Sequence, residues 1–225
     1  MKLHFLGTGA ADWQLAEKDS SEYRFFSSAL IDGVLLIDPG PHVFLSAEKF
    51  SIDLSNIKYI INTHKHSDHY SEDTVNALAL NGAEFIDFVA GETKKIGEYT
   101  ISAFEANHST AEKAVHFIIE REEKSIFYGL DGAWLLYDEV KAIKEKGIDL
   151  AVLDATIGNI YGDYRIFEHN NLTMVKEIKA SLNNHIKRFV ISHLAYTLHE
   201  KHDYLSKEMQ LFDIETAFDN FITEI

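Results

Sequence analysis

The stretch NTHKHSDHYS, residues 62–71, places three histidines and an aspartate within the six positions from His64 to His69. Neutral imidazole and carboxylate groups are common ligands of Zn, Mn and Fe in proteins. His64 and His66 are two positions apart, so their side chains point the same way in an extended segment. Asp68 and His69 follow where we expect the chain to turn into a helix, and they can face a second ion. The stretch therefore predicts a metal site.

Short apolar runs rich in β-branched and aromatic residues predict strands, and amphipathic stretches predict helices. The predicted strands are KLHFLG, SSALID, VLLID, IKYIINT, EFIDFVA, YTISAFEA, AVHFIIE and SIFYGL. Helices are predicted at SEDTVNALALNG, with Ser71 as N-cap, and at WLLYDEVKAIKEKG, NLTMVKEIKASLNN and HEKHDYLSKEM. Strands dominate the first half, and helices alternate with strands afterwards. This order favours an α/β fold with two sheets flanked by helices.

Residues of the metal-ligand type follow four predicted strands: His64 after IKYIIN, His108 after YTISAFEA, Asp131 after SIFYG, and His193 after RFVIS. Pockets in layered α/β folds form at the carboxyl ends of strands, so these side chains converge if the strands lie side by side. The expected ligands divide between two ions and a bridge: His64, His66 and His108 for one ion, Asp68, His69 and His193 for the other, and Asp131 between them.

A bridging carboxylate is needed because two dications ~3.5–4 Å apart would repel each other strongly. Asp131 in LDG and Asp154 in LDAT are the two candidates. Strand-end context favours Asp131, with Asp154 supporting the ligands from outside. Asp38, in the turn sequence IDPGP, is a candidate to orient a ligand histidine.

His169 stands just ahead of the predicted helix NLTMVKEIKASLNN, which has Asn170 or Asn171 as its N-cap. Helix N-termini attract anions. The position therefore places His169 where a bound phosphate would lie.

The bulk composition limits the classes of partner. A chain of 225 residues with 46% hydrophobic content is expected to form one domain, residues 1–225. The 21 Lys and Arg residues are outnumbered by 36 Asp and Glu, and the net charge of −15 argues against a nucleic-acid partner. A small anion can still bind where a metal makes a pocket locally positive. The absence of cysteine excludes thiolate zinc sites and cysteine nucleophiles.

The sequence contains no apolar run near the ~18 residues that span a bilayer. In its start, MKLHFLGTGAADW, glycines and an aspartate interrupt the apolar segment that a signal peptide needs. We therefore expect a cytoplasmic protein with no membrane partner. The sequence is compatible with a homodimer.

The pattern H-x-H-x-D-H of residues 64–69 resembles the signature of the metallo-β-lactamase superfamily. The downstream residues His108, Asp131 and His193 occur in the order used by that family, and FLGTG, SSALID, LLIDPGP, LDG, LDAT and ISH extend the resemblance over most of the chain. The resemblance implies a four-layer αββα sandwich, the metallo-β-lactamase fold, with two divalent ions of Zn, Mn or Fe. The family order also supports Asp131 as the bridge.

Within this superfamily, the chain most resembles the phosphodiesterases that open phosphoribosyl cyclic phosphate. The shared features are the FLGTG opening, DAT after a late strand, a histidine before a Leu-Thr helix start in EHNNLT, and an aspartate-containing final strand in ETAFDNFITEI. The resemblance implies that His169 donates a proton or contacts phosphate, and we count Asp68 and His169 as catalytic. The cysteines that bind a structural zinc in that group are absent, and AADWQLAEKDSSEYR occupies their place.

The predicted function is hydrolysis of a small, cyclic phosphodiester. The bridged metals would lower the pKa of a shared water to give the attacking hydroxide, and His169 would protonate the leaving oxygen. The sequence leaves the exact substrate, the metal and the oligomeric state open.

Three alternatives use the same core. A lactonase or thioesterase is the main one, because metals that polarise a phosphoryl group also polarise a carbonyl. A di-iron oxidoreductase is weaker, since such members usually carry Glu at the position of His66. An RNA-processing nuclease would need a basic surface and a substrate-gripping arm, and the acidic composition indicates neither.

Overall fold

The structure, a computed structural model, describes residues 1–18 and 20–225; Asp19, within AADWQLAEKDSSEYR, lies outside the described residues. The strands of the described residues are β1 Lys2–Gly7, β2 Ser28–Ile31, β3 Leu35–Ile37, β4 Tyr59–Ile61, β5 Glu84–Phe85, β6 Thr93–Ile96, β7 Tyr99–Glu105, β8 Val115–Arg121, β9 Lys124–Gly129, β10 Ile148–Asp154, β11 Ile186–Ser192, β12 Ile214–Thr216 and β13 Ile222–Glu224. Their α-helices are α1 Val43–Phe50, α2 Glu72–Leu80, α3 Tyr137–Lys146, α4 Leu172–Leu182 and α5 His202–Gln210.

The strands form two sheets. One has the order β13-β1-β2-β3-β4-β5, and the other has the order β12-β11-β10-β9-β8-β7-β6. In the second sheet, β9, β10 and β11 are parallel, and both β7 and β9 are antiparallel to β8. Strands β7, β9, β10 and β11 therefore run in the same direction. Their carboxyl ends lie along one edge, as a shared pocket requires.

The main core lies between the two sheets. Leu3 and Ile37 of the first sheet belong to one buried cluster with Phe117, Tyr128 and Val152 of the second. Burial of such side chains stabilises a fold by about 1.5–3 kcal/mol each. This cluster holds the sheets face to face and fixes the edge at which their loops meet.

The outer face of each sheet is covered by helices. Leu36 of the first sheet clusters with Val43 of α1 and Leu78 of α2. Leu153 of the second sheet clusters with Val175 of α4, and α3 and α5 contribute to the same cluster. Because both faces of the sheets are covered, inner strands such as β3 and β9 have continuous buried runs instead of an alternating pattern. The predicted four-layer αββα sandwich is confirmed.

Some element predictions need correction. Helix α1 is not predicted from the sequence; it has only eight residues, and no side chain caps its N-terminus at His42. EFIDFVA is mostly not a strand, because edge strand β5 pairs with β4 over only two residues. The last segment is not one aspartate-containing strand. Asp219 lies between β12 and β13, where it accepts hydrogen bonds from Thr8 Oγ1 (2.7 Å) and Phe25 N (2.6 Å).

Within residues 1–18 and 20–225, none of the helices has both the length and the apolar character that crossing a bilayer requires.

Candidate metal centre

The predicted ligands follow the ends of strands, and the folded chain brings them close together. His64 follows β4, His108 follows β7, Asp131 follows β9 and His193 follows β11. The structure brings all of the expected ligands together in two groups: His64, His66, His108 and Asp131, and Asp68, His69, Asp131 and His193. A third group joins Asp131 and His193 of these to Asp154 and His169. The candidate ligand atoms within each group lie within 4.8 Å of one another. The first two groups are those expected from the spacing of the sequence.

Asp131 lies between the two groups. Its Oδ2 is 3.1 Å from Nε2 of His64, 3.1 Å from Nε2 of His69 and 3.9 Å from Nε2 of His108. Its Oδ1 is 2.9 Å from Nδ1 of His193. One carboxylate therefore faces donors from both groups, which is the geometry that a bridging residue needs.

Asp154, the rival bridge, is occupied mainly by hydrogen bonds from backbone N–H groups. Its carboxylate accepts from the backbone N–H of Asp131 (3.1 Å), of Thr156 (2.9 Å) and of Asn170 (3.2 Å). It also lies 2.9 Å from Nδ1 of His169. Asp154 thus holds the backbone of Asp131 and the ring of His169 in place. The geometry favours Asp131 over Asp154 as the shared ligand.

The backbone at the centre is unusual in three places. Asp38, Asp131 and His193 have φ values of +58°, +55° and +58°. These lie in the left-handed region, which non-glycine residues rarely adopt and which is common at functional sites. The conformation lets the chain turn sharply after each strand, and so aims the side chain across the sheet edge.

Residues outside the two groups fix the orientation of the ligand rings. Asp38 Oδ2 lies 2.9 Å from Nδ1 of His69, and Asp38 Oδ1 accepts from Thr63 N (2.7 Å) and Thr63 Oγ1 (2.9 Å). Thr63 Oγ1 is also 3.0 Å from Nδ1 of His64. The Nε2 atoms of His64 and His69 therefore face the centre. Such contacts set the tautomer of a metal-binding histidine, and Asp38 has the orienting position predicted for it.

The ionisable groups at the centre shift one another's pKa values. Burial alone would raise the pKa of Asp131, but His193 and His69 hold it well below its usual range. Burial lowers the pKa of His193 and His69, yet the surrounding carboxylates, Asp131 foremost, together outweigh it; the pKa of His193 rises to about 10 and that of His69 well above its usual value. Burial lowers the pKa of His108 to about 4, so this ring is a neutral donor near pH 7.

The donor set fits divalent cations. Asp38, Asp68, Asp131 and Asp154 are all buried, and buried carboxylates need compensating positive charge. Nε2 of His64 and Oδ1 of Asp131 are buried without a well-formed hydrogen bond to any described residue, although each has a charged or ionisable neighbour within 3.1 Å. Imidazole nitrogens and carboxylate oxygens in this arrangement suit Zn, Mn or Fe.

His169 lies beside the two groups. Its ring is 5.1 Å from the ring of His108 and 5.6 Å from that of His193, and its side chain is 16% exposed. Asn171 is the N-cap of α4, with its Oδ1 accepting from Met174 N (2.8 Å). Burial would lower the pKa of His169, but Asp154 raises it above its usual value. The pairing of Nδ1 with Asp154 leaves Nε2 for a substrate.

Two residues of the centre are not predicted from the sequence. Thr156 Oγ1 lies 2.7 Å from Nδ1 of His193 and 3.1 Å from Asp154 Oδ2. Glu168 contacts both His108 and the residues after it. Thr156 ends the motif LDAT, and Glu168 stands next to His169, so adjacency in the sequence is the signal that could have found both.

Gly40 supports the turn that carries Asp68. A Cβ at this position would clash with the carbonyl oxygen of Asp68. We expect Gly40→Ala to lower the free energy of unfolding by about 1–3 kcal/mol, the usual cost of overpacking. Thermal unfolding with and without added metal measures both the loss and the stabilisation by the ion. An unchanged Tm in both conditions would show that the Asp68 turn moves aside without cost.

Comparison with known proteins supports the fold and gives a family match over part of the chain. The sequence model of the Metallo-beta-lactamase superfamily matches residues 27–72, which include the H-x-H-x-D-H pattern. A comparison with curated proteins found no match.

Solved structures similar to this chain include zinc-bound PqqB from Methylobacterium extorquens, with a TM-score of 0.74, 16% identity and coverage of 100% of both chains. A diphosphatase from the PhnP family has a TM-score of 0.71 and 18% identity, with coverage of 100% of this chain and 97% of that one. The short form of human tRNase Z has a TM-score of 0.70 and 18% identity, with coverage of 100% and 99%. At these identities the likeness shows the metallo-β-lactamase fold.

Proposed function

We propose that this chain is a metal-dependent hydrolase that cleaves a small phosphodiester. The observation that carries the proposal is the pair formed by His169 and Asp154 beside the two ligand groups, with 2.9 Å between Nδ1 and Oδ2. This pair supplies a positioned proton donor next to a site suited to cations. A protein that only stored metal would have no use for such a donor.

The two ligand groups would hold two ions, one in each group, with Asp131 shared between them. Bound divalent ions lower the pKa of water and withdraw charge from phosphoryl oxygens. Zn, Mn and Fe are the candidates, because the donors are imidazole nitrogens and carboxylate oxygens and the chain has no thiolate.

His169 is placed to act as the acid. Asp154 accepts the Nδ1 proton, and this fixes the ring so that Nε2–H points away from Asp154. Burial lowers the pKa of His169, but the neighbouring carboxylates, Asp154 foremost, raise it above its usual value, which favours the protonated ring. A protonated imidazole at this point can stabilise an anionic substrate and then donate its proton to the leaving oxygen.

Charge favours a phosphodiester over a lactone or thioester. A diester of phosphoric acid is an anion, which a protonated His169 attracts, whereas a lactone carbonyl is neutral. The net charge of −15 disfavours a long polyanion, which would meet repulsion everywhere except at the pocket. A small diester, such as a phosphoribosyl cyclic phosphate, satisfies both conditions. The diphosphatase among the structural neighbours is compatible with a phosphorus-centred reaction.

A substrate panel tests the proposal. We expect metal-loaded protein to turn over small cyclic phosphates and aryl phosphodiesters, and to act slowly or not at all on lactones and on a tRNA precursor. Initial rates for each substrate, compared with those of chelator-treated protein, provide the measurement. Loss of turnover on metal removal and its recovery on reloading would link the activity to the ligand groups.

Two outcomes of the panel would contradict the proposal. Fast lactone opening without diester cleavage would assign the centre to carbonyl chemistry. Faster trimming of the tRNA precursor than of small diesters would show that the acidic surface does not exclude RNA.

A further inference from the structure

Glu168 joins two segments of the centre that are distant in sequence. Its Oε1 accepts a hydrogen bond from Ser109 Oγ (2.6 Å), and its Oε2 accepts from Thr110 Oγ1 (2.9 Å) and Thr110 N (3.2 Å). Ser109 and Thr110 directly follow His108, and Glu168 directly precedes His169. One carboxylate therefore ties the segment after β7 to the segment ahead of α4.

The same residue contacts the ring of His108. Nδ1 of His108 lies 3.2 Å from Glu168 Oε2 and 3.3 Å from the carbonyl oxygen of Glu168. Nε2 of His108 faces the other way, 3.2 Å from Nδ1 of His66. An Nδ1–H that donates to Glu168 leaves the lone pair of Nε2 for an ion.

We propose that Glu168 is a positioning residue that orients His108 as a ligand and sets its distance from His169. The inference rests on the proposed function, since it assigns His108 to an ion and His169 to proton donation. The rings of His108 and His169 are 5.1 Å apart. Catalytic groups must be held within about 0.5 Å of their productive geometry, and a shared carboxylate holds both segments at once.

Glu168 does not touch the reacting atoms in this scheme. Its effect passes through two neighbours, so its removal should alter both metal binding and the use of the acid. A residue that merely stabilised the loop would lower Tm without changing either property in the folded protein.

The test compares Glu168→Ala and Glu168→Gln with Glu177→Gln as a matched control. Glu177 is an exposed residue of α4. Chelator competition gives the affinity for each ion, and the visible absorption spectrum of Co²⁺-loaded protein reports the ligand geometry. Rates are measured for diesters with good and poor leaving groups.

We expect Glu168→Ala to weaken one of the two ions by about 10–100-fold and to change the Co²⁺ spectrum, as the loss of a ligand-orienting partner does. The rate should fall more for a poor leaving group than for a good one. Glu168→Gln keeps one acceptor oxygen and should lose less, and Glu177→Gln should match the unmodified protein. Unchanged affinity and spectrum in folded Glu168→Ala would overturn the inference.

A second variant serves if Glu168→Ala does not fold. Ser109→Ala combined with Thr110→Val removes the two hydroxyl donors, leaves the carboxylate and the Thr110 N–H in place, and should reproduce part of the loss in affinity. Full affinity for both ions and an unchanged Co²⁺ spectrum in this variant would count against a role for the hydrogen bonds between Glu168 and the Ser109 and Thr110 hydroxyls. The metal readouts do not depend on the substrate, so a failure to cleave diesters would refute the proposed function while leaving the orientation of His108 testable.

Discussion

Replacement of Asp131 by Ala is expected to leave at most one firmly bound ion per chain and to reduce diester turnover by roughly 10³-fold or more. The reason is that Oδ2 of Asp131 approaches donors of both ligand groups, at 3.1 Å from His64 and from His69. Without that carboxylate, two dications would repel each other, and the several kcal/mol that metals contribute to the transition state would be lost. Elemental analysis after gel filtration gives the stoichiometry, which should be two for the unmodified chain.

Two further variants sharpen this result. Asp131→Asn keeps the size of the side chain and should also lose an ion, because an amide has one acceptor oxygen and no charge. Asp154→Ala should keep both ions, since the carboxylate of Asp154 mainly holds backbone groups and His169. Two ions in Asp131→Ala but fewer in Asp154→Ala would identify Asp154 as the bridge. A ceiling of one ion in the unmodified chain would refute the dinuclear centre.

The sequence predicts which candidate ligand residues the fold brings together, because chemistry and strand pattern coincide there. A buried strand end seldom carries an ionisable side chain for packing alone, since burial of such a group costs free energy unless it is paired or binds a metal. His64, Asp131 and His193 each occur within three residues of the end of an apolar strand. Parallel strands then bring separate loops to one edge. The two groups follow from these facts together with the alternation of side chains in an extended segment.

Contacts between segments far apart in the chain could not be predicted in the same way. Glu168 and Thr110 are separated by 58 positions, and only the packing of α4 on the second sheet brings them together.

Helix α1 is not predicted for a different reason. It follows two prolines in a glycine-containing turn and is only eight residues long. So short a helix contains too few turns to show a clear helical pattern of apolar residues. Asp219 illustrates a third limit, because its burial between β12 and β13 depends on Thr8 and Phe25 from the other end of the chain.

His169→Ala is expected to keep both ions and to lose about 10²–10⁴ in rate for substrates with an alkoxide leaving group, the usual contribution of a positioned acid. The ring contacts Asp154 and Thr156 through Nδ1, and the two ligand groups retain their own donors without it. The loss should shrink for a nitrophenolate leaving group, whose departure needs little protonation. Rates for a series of diesters that differ only in the pKa of the leaving alcohol measure this dependence.

The pH profile provides an independent check of the same role. An acid works in its protonated form, so the rate falls as the pH rises past the pKa of that acid. Burial lowers the pKa of His169, and the neighbouring carboxylates, Asp154 foremost, raise it above its usual value. Asp154→Asn removes this negative charge, lowers the pKa of His169 and should move the alkaline limb of the profile to lower pH. If the alkaline limb of Asp154→Asn lay at the same pH as that of the unmodified protein, Asp154 would have no part in proton donation.

The leaving-group series distinguishes the three roles that the position of His169 allows. If it were a metal ligand, elemental analysis of His169→Ala would show a missing ion, and all substrates would lose rate together. If it only bound phosphate through the charge of its ring, both ions would stay, but the loss would be equal for good and poor leaving groups, because every diester has the same charge. Only an acid gives two retained ions with a loss that grows as the leaving alcohol becomes less acidic. The fixed contact of Nδ1 with Asp154, at 2.9 Å, makes this third outcome the expected one.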